Sequence, residues 1–148
     1  MVSIMDISLR KGLMTELECQ RAFIDLGYSV SVPLGNFDKY DMIADVDGHL
    51  LRIQCKSATY DEINDYISFN CRSITTNTKK TNRHSYSKDE IDYFATSWNG
   101  KVYLVPVNEC SVTKKLWLWD EKSDKSTATL AKDCEIAKVL LRIINHEE

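Results

Sequence analysis

Residues 40–56 read YDMIADVDGHLLRIQCK, two short runs in which apolar and polar residues alternate around the dipeptide Asp47-Gly48. An Asp-Gly pair between alternating segments is one of the strongest local signals for a β-hairpin. We therefore predict two antiparallel strands, over residues 39–46 and 49–57. This hairpin decides which polar side chains become neighbours in space.

Side chains alternate between the two faces of a strand, so the second run divides into a polar and an apolar set. The polar face carries Arg52, Gln54 and Lys56, and the face expected in the core carries Leu51, Ile53 and Cys55. Across the hairpin, Asp41 adds a carboxylate to the polar face. A carboxylate, an amide oxygen and an ammonium suit a hard cation and a phosphodiester.

An acidic residue on one strand and (D/E)-x-K on the next resembles the active-site signature of the PD-(D/E)XK nuclease superfamily. Here the signature reads Tyr40-Asp41 and Gln54-Cys55-Lys56. It departs from the usual pattern in having Tyr40 where proline often stands and Gln54 in place of a second acid. The glutamine resembles the small group I intron homing endonucleases, which carry glutamine at that position and are about this size.

A second motif lies upstream, where Gly12 and Glu16 resemble the Gly-x-x-x-Glu opening of the first helix in these nucleases and in archaeal-type Holliday junction resolvases. The resemblance runs from about residue 11 to about residue 107. It implies an α/β fold, with a mixed sheet flanked by helices and a restriction-endonuclease-like core. It also implies a DNA endonuclease whose catalytic residues are Glu16, Asp41, Gln54 and Lys56.

The same resemblance implies a metal site with Glu16, Asp41, Gln54 and the carbonyl of Cys55 as protein ligands. Two carboxylates and neutral oxygens fit Mg²⁺, with Mn²⁺ as the alternative. A second ion, which lies about 3.5–4 Å away in two-metal sites, would lack carboxylates to hold it. Lys56 and the ion are expected to position the attacking water.

Positive charge is concentrated in residues 72–88, which carry a net charge of +5 in a chain of net charge −3, leaving −8 for the rest. Basic and hydrogen-bonding side chains contact phosphates and base edges. We interpret this segment as a basic DNA-contacting loop, although it could be only a solvated surface loop. The candidate DNA-binding residues are Lys39, Arg72, Lys79, Lys80, Arg83 and His84.

Periodicity and end signals place the remaining elements. Residues 12–26 read as a helix that Gly27 ends, with an apolar stripe of Leu13, Leu17, Ala22, Phe23 and Leu26. A resemblance to a capping box at Ser87 and Glu90 predicts another helix. The other elements are strands over residues 28–32, 65–71, 102–107 and 116–119, a second helix over 87–98 ended by Asn99-Gly100, and a C-terminal helix over 129–145.

Length and composition fit one soluble domain over residues 1–148, with 43% apolar and 28% charged residues. No apolar run approaches the roughly 20 residues that span a bilayer, so we expect no membrane partner and a cytoplasmic protein. The five cysteines form no C-x-x-C pair and are expected to be reduced core thiols.

We therefore expect double-stranded DNA as the partner and a homing-type endonuclease as the activity. A Holliday junction resolvase, a restriction-type endonuclease and a non-catalytic DNA-binding module remain alternatives. Cutting both strands of a duplex needs two active sites, so an assembly of at least two copies, such as a homodimer, is expected. A homotetramer is implied by the resemblance to the homing endonucleases. The apolar face of residues 136–144 is the candidate surface for pairing chains.

Overall fold

The computed structural model describes residues 3–35, 37–76 and 79–146. Two α-helices lie within these ranges, α1 (Ile4–Asp25) and α2 (Ile136–Ile144), with single 3-10 turns at Val107–Glu109 and Ala131–Cys134. The strands described there are β1 (Ser29–Ser31), β2 (Met42–Val46), β3 (His49–Cys55), β4 (Thr59–Asp61), β5 (Tyr66–Asn70), β6 (Arg72–Thr76), β7 (Thr81–Ser85), β8 (Tyr93–Trp98), β9 (Lys101–Pro106) and β10 (Thr113–Trp117).

The strands form one large mixed sheet and two smaller ones. The large sheet has the order β1-β2-β3-β8-β9, in which β3 and β8 are parallel and the other neighbours are antiparallel. A second sheet has the order β10-β5-β4, and β6 pairs with β7 as a separate ribbon. This mixed sheet with accompanying helices confirms the predicted fold class.

The hairpin of residues 40–56 is confirmed as β2 and β3. Asp47 and Gly48 both have positive φ, 51° and 87°, as a two-residue hairpin turn requires. Met42 lies opposite Ile53 in the ladder. The predicted alternation also holds, because the core-facing residues of β3 are buried and the polar ones between them are half-buried.

Helix α1 begins earlier than predicted and buries another face. Ser3 is its N-cap, and a capping box with Asp6 stabilises a start at residue 4, whereas we expected residue 12. The predicted end is confirmed at Gly27, whose φ is +91°. The predicted stripe is wrong at Leu13, Leu17 and Leu26, which are exposed, whereas Phe23 is buried and Ala22 packs partly buried against the core. From residue 6 onward, the buried positions of the helix are Thr15, Cys19 and Phe23.

The helix predicted over residues 87–98 is wrong. Glu90 does accept a hydrogen bond from the Ser87 backbone N–H at 3.1 Å, but the chain makes only a turn there and continues as β8. This strand pairs with both β3 and β9, which outweighs the local helix signal. Asn99-Gly100 forms the two-residue β8–β9 turn, with φ of 49° and 78°.

The segment of residues 72–88, predicted as an irregular loop, is mostly a β-ribbon. Strands β6 and β7 pair antiparallel from Arg72 opposite Ser85 to Thr76 opposite Thr81. Ile74, Arg83 and His84 are exposed on the ribbon. Residues 77 and 78 of the predicted loop lie outside the described residues. We call residues 72–85 the ribbon.

Helix α2 is shorter than the predicted helix over 129–145, because a 3-10 turn occupies residues 131–134. Its apolar face packs against the core of the large sheet, with Val139 and Leu140 buried. This packing corrects the expectation that residues 136–144 are free to pair chains. In the part of the chain that is described, neither helix has the length and apolar character to cross a membrane.

Candidate active site

Asp41 lies at the end of the β2–β3 pairing, one residue before β2. Its backbone N–H donates to the Ile53 carbonyl at 2.8 Å, and its Oδ2 accepts from the Cys55 backbone N–H at 2.8 Å. Burial raises the pKa of Asp41, while the Cys55 hydrogen bond and the Lys56 charge lower it less strongly. The fold therefore fixes the position of this carboxyl, and burial makes its ionised form less stable than it would be in water.

Glu16 joins the site from helix α1. Cys19, one turn further along the helix, packs with Cys55 of β3 in the core and brings α1 over the end of that strand. Burial raises the pKa of Glu16, and the negative charge of Asp41 raises it further. The predicted pair of carboxylates therefore comes close enough to interact electrostatically.

Lys56 follows directly after β3, and both its backbone and its side chain are hydrogen-bonded. Its backbone N–H donates to the Ala95 carbonyl at 2.9 Å, and its Nζ donates to the Arg72 carbonyl at 3.1 Å. Burial lowers the pKa of Lys56, although the negative charge of Asp41 opposes this change. The ammonium is thus partly withdrawn from water beside the carboxylate.

Gln54 lies on β3, two residues before Lys56, and is half-buried. Alternation along the strand places it on the same face as Lys56. Within the described ranges, no three His, Cys, Asp or Glu side chains form a metal-binding cluster. The predicted ligand set does not require one, because it contains two carboxylates, an amide oxygen and a carbonyl. Burial disfavours the ionised form of both carboxyls, and the charge of Asp41 disfavours that of Glu16 further. A divalent cation would offset both effects.

A charged network fixes the segment that leads into β8. Arg52 makes a two-point ion pair with Asp92, with Nε to Oδ2 and Nη2 to Oδ1 both at 3.1 Å. The Arg52 guanidinium also donates to the carbonyls of Lys88 and Asp89, each at 2.6 Å. Arg52 therefore holds the turn beside the site, a positioning role that sequence reasoning did not assign to it.

The structure separates the predicted DNA-binding residues into three groups. Lys79, Lys80, Arg83 and His84 are exposed on the ribbon, whereas Lys39 lies on another turn, 4.0 Å from Glu90. Arg72 lies at the base of the ribbon against the site, and its buried Nε has no hydrogen-bond partner among the described residues. A buried donor without a hydrogen-bond partner is uncommon in folded proteins.

Tyr86 also belongs to the site, although it was not among the predicted site residues. The face of its ring lies 5.3 Å from Lys56 Nζ. Burial, together with the charges of Asp41 and Glu90, raises the pKa of Tyr86 to about 12. Thirty residues separate Tyr86 from Lys56, and the contact depends on how the ribbon is attached, so no local pattern could have identified it.

Asp41→Asn is expected to raise the melting temperature of the protein in EDTA near neutral pH. A carboxyl whose pKa is higher in the folded than in the unfolded state binds more protons when folded, so stability falls as pH rises through the folded pKa. Asparagine removes the buried charge and keeps an oxygen that can accept from Cys55. The measurement is thermal unfolding of the variant and the wild type across a pH series.

The advantage of Asp41→Asn should disappear below the ordinary aspartate pKa of 3.8, where the wild-type carboxyl is also neutral. Added Mg²⁺ or Mn²⁺ should then stabilise the wild type more than the variant near neutral pH. A variant that melts below the wild type in EDTA throughout the series would contradict the assigned burial cost.

Comparisons with known proteins agree with this fold. A family model described as PD-(D/E)XK endonuclease matches residues 8–136. The solved structure of a bacterial homing endonuclease, I-Ssp6803I, is similar in fold, with a TM-score of 0.73 and 23% sequence identity, over 93% of this chain and 96% of that chain. No curated protein gives a significant sequence match.

Proposed function

The chain belongs to the PD-(D/E)XK endonuclease family and is a DNA endonuclease, and we propose that it cuts linear double-stranded DNA at a specific site in the manner of a homing endonuclease. The observation that carries this proposal is the convergence of Asp41, Glu16 and Lys56 at the base of a basic ribbon. The fold shared with I-Ssp6803I, which is a homing endonuclease, supports the same proposal.

Endonucleases of this family generally use divalent metal ions. We propose Mg²⁺, held by Glu16, Asp41, Gln54 and the Cys55 carbonyl, with Mn²⁺ as a substitute. When bound, the ion would supply charge stabilisation for the phosphoryl and leaving oxygens.

The protein's own residues prepare the reaction. The Cys55 N–H orients the Asp41 carboxylate, and the Arg72 carbonyl orients the Lys56 ammonium. Lys56 then hydrogen-bonds the attacking water or a phosphate oxygen and places it in line with the scissile bond.

The ribbon has the form expected for reading duplex DNA. The major groove admits a two-stranded β-ribbon, whose two faces present different side chains to base edges and phosphates. Ladder partners Ile74 and Arg83 share one face, while Ser73 and His84 share the other. We propose that Arg83 contacts base edges in the groove and that His84, on the opposite face, contacts phosphates together with Lys79, Lys80 and Lys39.

Assembly from at least two copies would supply one active site for each DNA strand. Since α2 packs against the core of its own chain, the proposed pairing surface is the outer face of α1. Four large apolar side chains are exposed there at helical spacing: Leu9, Leu13, Leu17 and Ile24. Exposed apolar patches of this kind are typical of protein interfaces.

Neutralising the ribbon should weaken duplex binding and flatten its salt dependence. Each lost phosphate contact lowers the slope of log K against log salt by about 0.9. The measurement is fluorescence anisotropy with a labelled random-sequence duplex over a salt series, in Ca²⁺ to limit cleavage. The triple variant replaces Lys79, Lys80 and Arg83 by glutamine.

A matched control removes three exposed lysines from a segment outside the ribbon, namely Lys122, Lys125 and Lys132. Both variants change the net charge by the same amount. A difference between their salt-dependence slopes therefore shows that the location of the charges matters. Equal slopes in the ribbon variant and the wild type would show that these three side chains do not contact DNA phosphates.

A further inference from the structure

The two ends of the ribbon meet at Lys56. Arg72 opens β6, and Tyr86 directly follows Ser85, the last residue of β7 and the ladder partner of Arg72. The Lys56 Nζ donates to the Arg72 carbonyl at 3.1 Å and lies 5.3 Å from the centre of the Tyr86 ring. The same short segment therefore carries the proposed DNA contacts and contacts Lys56 from both of its ends.

The Tyr86 ring is anchored to the core of the protein as well as to the ribbon. It packs edge to face against Phe94, with ring centroids 5.4 Å apart and planes at 88°. Phe94 lies on β8, between β3 and β9 in the large sheet, and is 1% exposed. The face of the Tyr86 ring is thus held in a fixed orientation toward Lys56.

A lysine needs such support because its ammonium sits on a flexible four-carbon chain. An aromatic face within about 6 Å attracts a cation through the ring quadrupole, and this attraction strengthens where water is excluded. The Arg72 carbonyl fixes one N–H direction, and the ring occupies another side of the ammonium. Together they restrict where the charge can point.

We propose that Tyr86 is a positioning residue for DNA cleavage: its ring and the Arg72 carbonyl hold the Lys56 ammonium at the scissile phosphate, and so connect DNA contact by the ribbon to the catalytic lysine. This inference rests on the proposed function, in which Lys56 acts on the phosphodiester. The aromatic face is the required feature, and the phenol hydroxyl is not.

The test compares Tyr86→Leu with Tyr86→Phe in single-turnover cleavage, in Mg²⁺, of a linear duplex that the wild type selects and cuts from a random-sequence library. Leucine keeps an apolar side chain against Phe94 but removes the aromatic face. We expect cleavage at saturating DNA to slow by roughly tenfold in Tyr86→Leu, with duplex affinity unchanged. Tyr86→Phe should restore the wild-type rate constant.

A spectroscopic readout independent of activity accompanies this comparison. The ring current of Tyr86 should shift the ε-methylene proton resonances of Lys56 upfield in the metal-free protein. The shift should persist in Tyr86→Phe and disappear in Tyr86→Leu, with the resonances assigned through Lys56→Met. Tyr86→Met repeats both tests if Tyr86→Leu melts well below the wild type.

The chain offers a matched control in Tyr66, whose ring lies 4.8 Å from Lys115 Nζ in the second sheet. Tyr66→Leu removes the same kind of contact away from the site and should leave the cleavage rate constant unchanged. Full activity in a folded Tyr86→Leu beside an inactive Lys56→Met would overturn the positioning role alone. An active Lys56→Met would instead overturn the proposed function.

Discussion

Lys56→Ala is expected to lower the rate of Mg²⁺-dependent DNA cleavage by roughly 10³-fold while leaving the fold and duplex affinity nearly unchanged. Its ammonium is the positive side chain that the fold places beside Asp41 at the site. Burial lowers the pKa of Lys56, so its charge is not a source of folding stability and its removal should not unfold the protein. The measurements are single-turnover cleavage, thermal unfolding and duplex binding in Ca²⁺.

Lys115→Ala is the matched control for this prediction. Lys115 also lies over a tyrosine ring, but it belongs to β10 in the second sheet. Its removal changes the net charge by the same amount and should leave cleavage unaffected. Wild-type cleavage by a folded Lys56→Ala would show that the assigned active site is wrong.

The parts of the fold that depend on neighbouring residues could be predicted from the sequence. Asp47-Gly48 specifies a two-residue turn through positive φ values, and alternation along β3 then assigns each side chain to a face. These two local rules were enough to predict that Asp41, Gln54 and Lys56 lie at one end of the hairpin. The position of Glu16 followed from the resemblance of its motif.

The parts that depend on distant pairing could not be predicted in the same way. Ser87 and Glu90 interact as they would at a helix start, yet residues 93–98 form a strand because β3 and β9 provide partners on both sides. The Asn99-Gly100 pair is compatible with either a helix end or a hairpin turn. The sheet resolves that ambiguity.

Helix α1 shows a related difficulty, because two of its faces carry apolar residues at helical spacing. Leu13 and Leu17 lie on one, and Cys19 and Phe23 lie on the other. Hydrophobicity alone favours the leucines, but the fold buries the face that packs on β3 and carries Glu16 into the site. An exposed leucine face is then left for the proposed assembly.

The second large effect expected is sequence discrimination on linear DNA. A ribbon seated in the major groove reads base edges, so its contacts should favour one extended site over random sequence by at least about 10³-fold in affinity. A resolvase instead recognises the shape of a four-way junction through phosphates, and base sequence should then matter little. The two activities therefore differ in which DNA the same active site cuts.

The most direct measurement is a competition between an immobile four-way junction and a library of random linear duplexes, incubated with the wild type in Mg²⁺, with bound and cut molecules both sequenced. Lys56→Ala serves as the binding-only reference. We predict that one extended linear site is enriched by both proteins and cut only by the wild type. Preferential cutting of the junction, with no linear sequence enriched, would contradict the proposed homing-type activity.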